Sequence, residues 1–245
     1  MTTVTVIGCG DAFGSGGRLQ TCFFVDGGET RLLIDCGVTA LIGLKRLGID
    51  PNAIDLILIS HLHGDHFGGI AFIEREAQIE ASRTRPLVIV GPAGIREAVE
   101  ASLDAFFPGA SQTSRALPLE FVTYSPGRVC SVGSVDLLAS PVIHTAGTSA
   151  HALRVEIAGT VIAYSGDTEW TDALYDVAAS ADLFICEAYT FDNSRRNHMS
   201  LRALEEHRTR LTCRRLLLTH LSDDMLSRLP IPEFEAAHDG LVIRL

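Results

Sequence analysis

The chain has 245 residues, 47% of them hydrophobic and 20% charged, and its 30 acidic against 20 basic side chains leave a net charge of −10. This composition excludes a disordered chain and argues against broad electrostatic binding to DNA, RNA or anionic lipid. No run of about 18 apolar residues occurs, so no segment reads as a membrane span, and no basic stretch precedes an apolar one at the N-terminus, so the protein reads as cytoplasmic.

Apolar periodicity predicts strands over Val4–Ile7, Cys22–Val25 and Arg31–Asp35, separated by Gly-rich turns, then a helix near Val38–Leu47. The run Leu56–Ser60 reads as a short strand leading into a histidine cluster. A helix over Gly69–Ala81, a buried strand over Leu87–Val90 and a helix over Ile95–Phe106 closed by Pro108-Gly109 follow. Further strands are expected near Glu120–Tyr124, Ser134–Ala139, Leu153–Ile157 and Val161–Ser165. A helix over Thr171–Ala179, a strand over Leu183–Cys186, a helix over Ser200–Leu211 and a strand over Arg215–Thr219 complete the order. Two strand-rich halves with helices between their strands imply helices outside two packed sheets, in one domain over residues 1–245.

Six cysteines stand far apart with no Cys-x-x-Cys pair, and their apolar neighbours make them reduced core residues. The first strand and Gly8-Cys9-Gly10 imitate the start of a dinucleotide-binding turn. The third glycine of that fingerprint is replaced by Phe13, and Ser15-Gly16-Gly17 opens no helix, so the segment reads as a turn where backbone approaches something closely.

The nine histidines are distributed unevenly. Ser60-His61-Leu62-His63-Gly64-Asp65-His66 puts three of them and an aspartate within six residues at a strand end. His61 and His63, two apart, point to one side, and Asp65 and His66 fall on the turn into the next helix. Imidazole and carboxylate aimed at neighbouring points suit two metal centres. This segment, followed by Gly68-Gly69, resembles the metallo-β-lactamase-fold hydrolases. The resemblance implies a four-layer αββα sandwich in the α/β class, with a two-metal site between the sheet edges. It asks for a further histidine, aspartate and histidine in order, and His144, Asp167 and His220 each follow an apolar strand. By that resemblance His61, His63 and His144 hold one metal, Asp65, His66 and His220 the other, and Asp167 bridges them. The ions are expected to be zinc, with manganese or iron as alternatives. Asp35 matches a motif found just outside such sites, where it would steady a ligand.

A second stretch narrows the resemblance. Ser165-Gly166-Asp167-Thr168, then Glu187-Ala188-Tyr189-Thr190-Phe191, then His198 before a helix capped by Ser200, is similar to the phosphodiesterase branch, which includes ribonuclease Z and the cyclic-phosphate phosphodiesterase of phosphonate breakdown. It implies that a hydroxide held between the metals and oriented by Asp65 attacks phosphorus, that His198 protonates the leaving oxygen, and that Glu187 tunes His198. Arg195 and Arg196 are either phosphate ligands or a solvated basic loop. His151, His207 and His238 match no ligand position, and His207 reads as solvated on a polar helix face.

Two departures bear on the substrate. Bacterial ribonuclease Z carries a long tRNA-gripping arm between the ligands matching His144 and Asp167, whereas here only 22 residues separate them. Ser222-Asp223-Asp224-Met225 also departs from that enzyme's Ser-x-Arg-Tyr. The expectation is therefore a small phosphodiester, cyclic ones included, with no extended nucleic-acid footprint, no membrane partner and a homodimer as the family's common state. A lactonase or thioesterase using the same two metals is the alternative, with tRNA 3′ processing behind it and a non-enzymatic scaffold last.

Overall fold

The computed structural model describes residues 1–81, 83–112, 117–192 and 195–245. Two seven-stranded sheets face each other. The first has the order β14-β1-β2-β3-β4-β5-β6, built from β1 (Thr3–Gly8), β2 (Cys22–Asp26), β3 (Arg31–Ile34), β4 (Leu56–Leu58), β5 (Leu87–Gly91), β6 (Leu119–Thr123) and β14 (Val242–Arg244). The second has the order β13-β12-β11-β10-β9-β8-β7, built from β7 (Val129–Val132), β8 (Val135–Pro141), β9 (His151–Ile157), β10 (Thr160–Tyr164), β11 (Leu183–Glu187), β12 (Leu216–Thr219) and β13 (Glu235–Ala236).

Strand alternation explains the layers. In β3, Leu32 and Ile34 point into the space between the sheets with Val4, Phe23, Leu153, Val155 and Tyr164, while Leu33 points outward. The outward face of the first sheet packs on α1 (Ala40–Arg46), α3 (Ile70–Ile79) and α4 (Ile95–Phe106), with the one-turn α2 (Gly64–Phe67) ahead of α3. The outward face of the second packs on α5 (Ala173–Ala178), α6 (Leu201–His207) and α7 (Asp223–Leu226). Three apolar layers between four structural ones make the αββα sandwich that the sequence leads one to expect. Among the described residues no helix is long and apolar enough to cross a membrane.

Element ends differ modestly from the periodicity reading. The helix after β3 starts at Ala40, and the one after the histidine cluster ends at Ile79. The strands β7, β13 and β14 escape the sequence reading because they are short edge or near-edge strands of two to four residues. Cys130 and Cys213 are half-buried, unlike the four cysteines in the core.

What positions the site is strand direction. β3, β4 and β5 run parallel, as do β10, β11 and β12, so their carboxyl ends gather at one rim of the sandwich. Residues that follow those ends are brought together from positions far apart in the chain, the place where open α/β sheets bind ligands.

Candidate metal centre

The histidine segment leaves β4 and is clamped by the chain that leaves β3. Cys36 N donates to His66 O at 2.6 Å and Gly69 N to Cys36 O at 2.9 Å. The two backbones lie so close that a Cβ on Gly69 would stand 2.1 Å from Gly37 O, which is why glycines occupy both positions. Asp35, at φ 53°, turns its buried carboxylate under the segment. Its oxygens accept Ser60 N and Ser60 Oγ at 2.8 Å each and stand 2.7 Å from His66 Nδ1. Ser60 Oγ in turn lies 3.0 Å from His61 Nδ1. One carboxylate thus reaches His66 directly and His61 through Ser60.

The second half supplies its groups in the same way. His144 follows β8 and sets its Nδ1 2.7 Å from Asn197 O. Asp167 follows β10. His220 follows β12 at φ 57°, its N–H donating to Cys9 O at 3.0 Å. Asp35, Asn197 and His220 are three of the six non-glycine residues with positive φ among the described residues. Each such conformation costs on the order of 1–3 kcal/mol, and the backbone N–H of each is held, by Leu58 O, Glu169 Oε1 and Cys9 O respectively.

The seven residues form two adjoining donor sets. His61, His63 and His144 make one, and Asp65, His66, Asp167 and His220 the other; within each set the donor atoms lie within 4.8 Å of one another. His63 Nδ1 is 3.2 Å from His144 Nε2. His66 Nε2 lies 3.2 Å from Asp65 Oδ2 and 3.3 Å from Asp167 Oδ1, and His220 Nε2 lies 3.4 and 3.5 Å from the same two carboxylates. Bonds of 2.0–2.1 Å in a tetrahedral site put ligand atoms roughly 3.3 Å apart, so these spacings fit an ion of zinc's size. His61 Nε2, His66 Nε2 and Asp167 Oδ1 are also buried with no hydrogen-bond partner. Donors left unmatched in the interior are what a metal site requires.

Electrostatics separate the two sets. Burial pushes the His61 and His63 imidazoles below the ordinary histidine range, and the neighbouring rings add to it. Burial would also lower His66 and His220, but the Asp167 charge, with Asp65 beside it, outweighs this and raises His66 well above its usual value and His220 to about 10. Burial opposes ionisation of Asp65 and Asp167 as well, yet the facing histidines hold both carboxyls well below the usual range. His61 and His63 are thus poised as neutral ligands, and the second set pairs two buried carboxylates with imidazoles whose protons a bound cation would displace.

At the rim stands His198. Glu187, fully buried at the end of β11, accepts from Thr168 N at 2.8 Å and Met199 N at 3.1 Å, and its Oε1 is 2.5 Å from His198 Nδ1. Burial would lower the His198 imidazole, but the hydrogen bond and charge of Glu187 raise it. Ser200 caps α6 through Ala203 N, as expected. Arg195 and Arg196 are exposed and line a cavity of about 550 Å³ beside His198; residues 193 and 194 of this segment lie outside the described residues.

Some assignments change. His207 is not merely solvated: its ring stacks on Trp170 at 4.0 Å and its Nδ1 lies 2.8 Å from the Tyr175 hydroxyl. His151 is buried against Tyr124 and takes no part in the rim. The sequence reading missed Asp11, Ala12, Phe13 and Tyr189, which wall the cleft over the donor sets. The signal was the Gly-rich turn after β1, whose close approach is to the chain's own Leu19 and Gln20 backbone.

Two adjoining His/Asp donor sets at the carboxyl rim of an αββα sandwich define a hydrolase of the metallo-β-lactamase fold. The chain belongs to the family described as Anti-Pycsar protein Apyc1, whose model matches residues 2–234. Ribonuclease Z of Mycobacterium bovis (strain BCG / Pasteur 1173P2) is 28% identical over 194 residues, 76% of this chain and 69% of that protein. Among solved structures, the metallo-β-lactamase-fold protein YhfI from Bacillus subtilis superposes with a TM-score of 0.79 at 22% identity, covering 100% of both chains. A diphosphatase from the PhnP family does so with a TM-score of 0.79 at 20% identity, covering 100% of this chain and 98% of that one. Both structural likenesses are of fold.

Proposed function

We propose that the chain, acting as one domain over residues 1–245, is a two-metal phosphodiesterase for small phosphodiesters, cyclic ones included. The observation that carries this reading is the His198–Glu187 pair at the cleft. Glu187 is fully buried and engages His198 Nδ1, which leaves Nε2 as the nitrogen open to the cleft, while 24% of the His198 side chain stays exposed. An imidazole fixed this way, beside a metal site, can give a proton to a departing alkoxide oxygen. Thioester cleavage has less need of it, because a thiolate departs more easily than an alkoxide. The similar proteins named a ribonuclease and a diphosphatase support chemistry at phosphorus.

His61, His63 and His144 would hold one divalent ion, Asp65, His66 and His220 a second, and Asp167 both. Zinc suits this imidazole-and-carboxylate set, as manganese or iron also can. Bound ions supply a nucleophile from water at neutral pH and neutralise charge on the phosphoryl oxygens. Asp65 orients the attacking water, and Asp35 keeps the His61 and His66 rings in place. Small size of substrate is favoured by the short link between His144 and Asp167, which is a loop and the β9–β10 hairpin turning at Ala158-Gly159. It offers no arm to grip an RNA.

The test is a substrate panel with Zn²⁺ or Mn²⁺: cyclic nucleotides, cyclic sugar phosphates, bis(p-nitrophenyl) phosphate, RNA, lactones and thioesters. His198→Ala is expected to lower kcat on bis(p-nitrophenyl) phosphate by about 10²–10⁴-fold with two ions per chain retained. Unchanged turnover removes His198 from the reaction, and a lactone or thioester rate far above every phosphodiester rate overturns the reading.

A further inference from the structure

The cleft over the donor sets is small, about 200 Å³, and is walled by Asp11, Phe13, Tyr189 and His198 above the donors. Pockets that bury a whole drug-sized ligand run to about 300–1,000 Å³. A phosphodiester group fits this cleft, but the rest of a substrate must leave it. Where it leaves is decided by the walls. Asp11, Phe13 and Tyr189 also line a neighbouring cavity of about 440 Å³, whose other sides include Thr190, Arg195, Ser222 and Asp223. The Tyr189 ring lies 4.6 Å from that of His198, and Tyr189 and Phe13 line both spaces, so a substrate part that leaves the cleft on that side is bounded by these two rings.

Phe13 is 86% exposed. A lone exposed phenylalanine needs no explanation, but this one is held out by construction. Asp11 Oδ1 accepts from Phe13 N at 3.2 Å and Ser15 N at 2.9 Å, and Asp11 Oδ2 from Ser15 Oγ at 2.7 Å. Gly16 N donates to Asp223 Oδ1 at 3.0 Å, and Gln20 Nε2 to Ala12 O at 3.1 Å. Gly14, Gly16 and Gly17 take positive φ, which lets the chain turn back directly after the ring. The loop is thus fixed at four points while its one aromatic ring stays bare over the shared rim. Beside it, Ser222 Oγ has no hydrogen-bond partner.

We propose that Phe13, with Tyr189 as the opposite wall, is a ring-stacking specificity site for a flat aromatic ring carried on the alcohol side of the phosphodiester. Asp223, Thr190 and Ser222 meet the polar edge of that ring. The inference rests on the phosphodiesterase reading and adds to it which part of the substrate the enzyme selects. Stacking of a base on an aromatic side chain tolerates many ring types and costs about 5- to 150-fold in affinity when the side chain is cut to alanine.

The test compares two probes on the metal-loaded enzyme: a nucleoside cyclic phosphate and the matching ribose cyclic phosphate without a base. Phe13→Ala is expected to raise KM for the nucleoside compound about 10-fold or more while kcat changes less than about 2-fold. The ratio of kcat/KM between the two probes then falls by the same factor. Phe13→Trp restores the ratio and Phe13→Leu does not. Equal losses on both probes, or no change on either, overturn the proposal. Should the wild type hydrolyse neither probe, the phosphodiesterase reading fails on its own. Calorimetric titration of wild type and Phe13→Ala with the nucleoside compound then decides the stacking claim: binding at least 5-fold weaker in the variant supports it, and equal binding overturns it.

Discussion

The two donor sets of the candidate metal centre are built on opposite principles. His61, His63 and His144 form a set without a carboxylate, in which His61 and the His144 side chain are buried and His63 is half-buried. Asp65, His66, Asp167 and His220 are all buried and place two carboxylates among two imidazoles. Removing a carboxylate from water is costly unless positive charge meets it. The second set therefore creates a demand for a cation, whereas the first offers lone pairs and makes no such demand. The difference teaches that two sites made of similar residues need not bind equally: the charged set should hold its ion more tightly, and the all-imidazole set should depend on Asp167 to borrow charge.

The largest expected effect comes from removing what the sets share. Asp167→Ala leaves His66 and His220 without one of their two carboxylates and takes away the carboxylate whose charge acts on His61. Metal analysis is expected to fall from two ions per chain to one at most, with phosphodiester turnover lowered by about 10²–10³-fold or more. Two ions and full turnover in this variant would mean that the sets are independent and that the comparison is wrong.

Asp35→Asn tests the support rather than the ligands. The carboxylate accepts from Ser60 and stands against His66 Nδ1, so it reaches the charged set directly and the all-imidazole set only through Ser60 and His61. Partners of this kind are worth about 10–100-fold in metal affinity or activity. The loss should be larger for the ion held by His66, read as the tighter of two dissociation constants moving toward the weaker. An equal shift of both constants would show that Asp35 acts on the whole rim instead.

Much of this arrangement is legible in the chain because the first half of the site is local. His61, His63, Asp65 and His66 lie within six residues, and strand geometry fixes their relative directions. His144, Asp167 and His220 are visible as polar residues after apolar runs, since parallel strands gather their carboxyl ends at one rim. The contacts that are not legible are those made across the fold. Trp170 and His207 stack from a loop and a helix end 37 positions apart. Phe13 becomes a cleft wall only once β1 lies beside β2 and the β12 end. Nothing in the periodicity of Gly8–Gly17 states which surface the turn will meet, because its backbone conformation is carried by glycines rather than by a repeating side-chain pattern. The edge strand β14 is missed for a related reason: three residues hold too little alternation to register.

The smallest effect, and the one that sharpens the comparison most, is the response of stability to a chelator. Binding to the folded state alone stabilises it by about 2.7 kcal/mol when the free ion is at 100 times its Kd. For a domain of this length that corresponds to roughly 5–10 °C in Tm. If the sets were equivalent, graded EDTA would lower Tm in one step as both ions left together. With one set made only of imidazoles and the other holding two buried carboxylates, two steps are expected. The first ion should leave at low chelator from His61, His63 and His144 with a small fall in Tm, because a set without a carboxylate leaves no buried anion behind when its ion departs. The second should leave at higher chelator from the buried carboxylates with most of the fall, because Asp65 and Asp167 then have only protonated His66 and His220 to balance them. His63→Ala should remove the first step and leave the second. A single step in the wild type, or loss of the second step in His63→Ala, would show that one shared charge balance governs both ions.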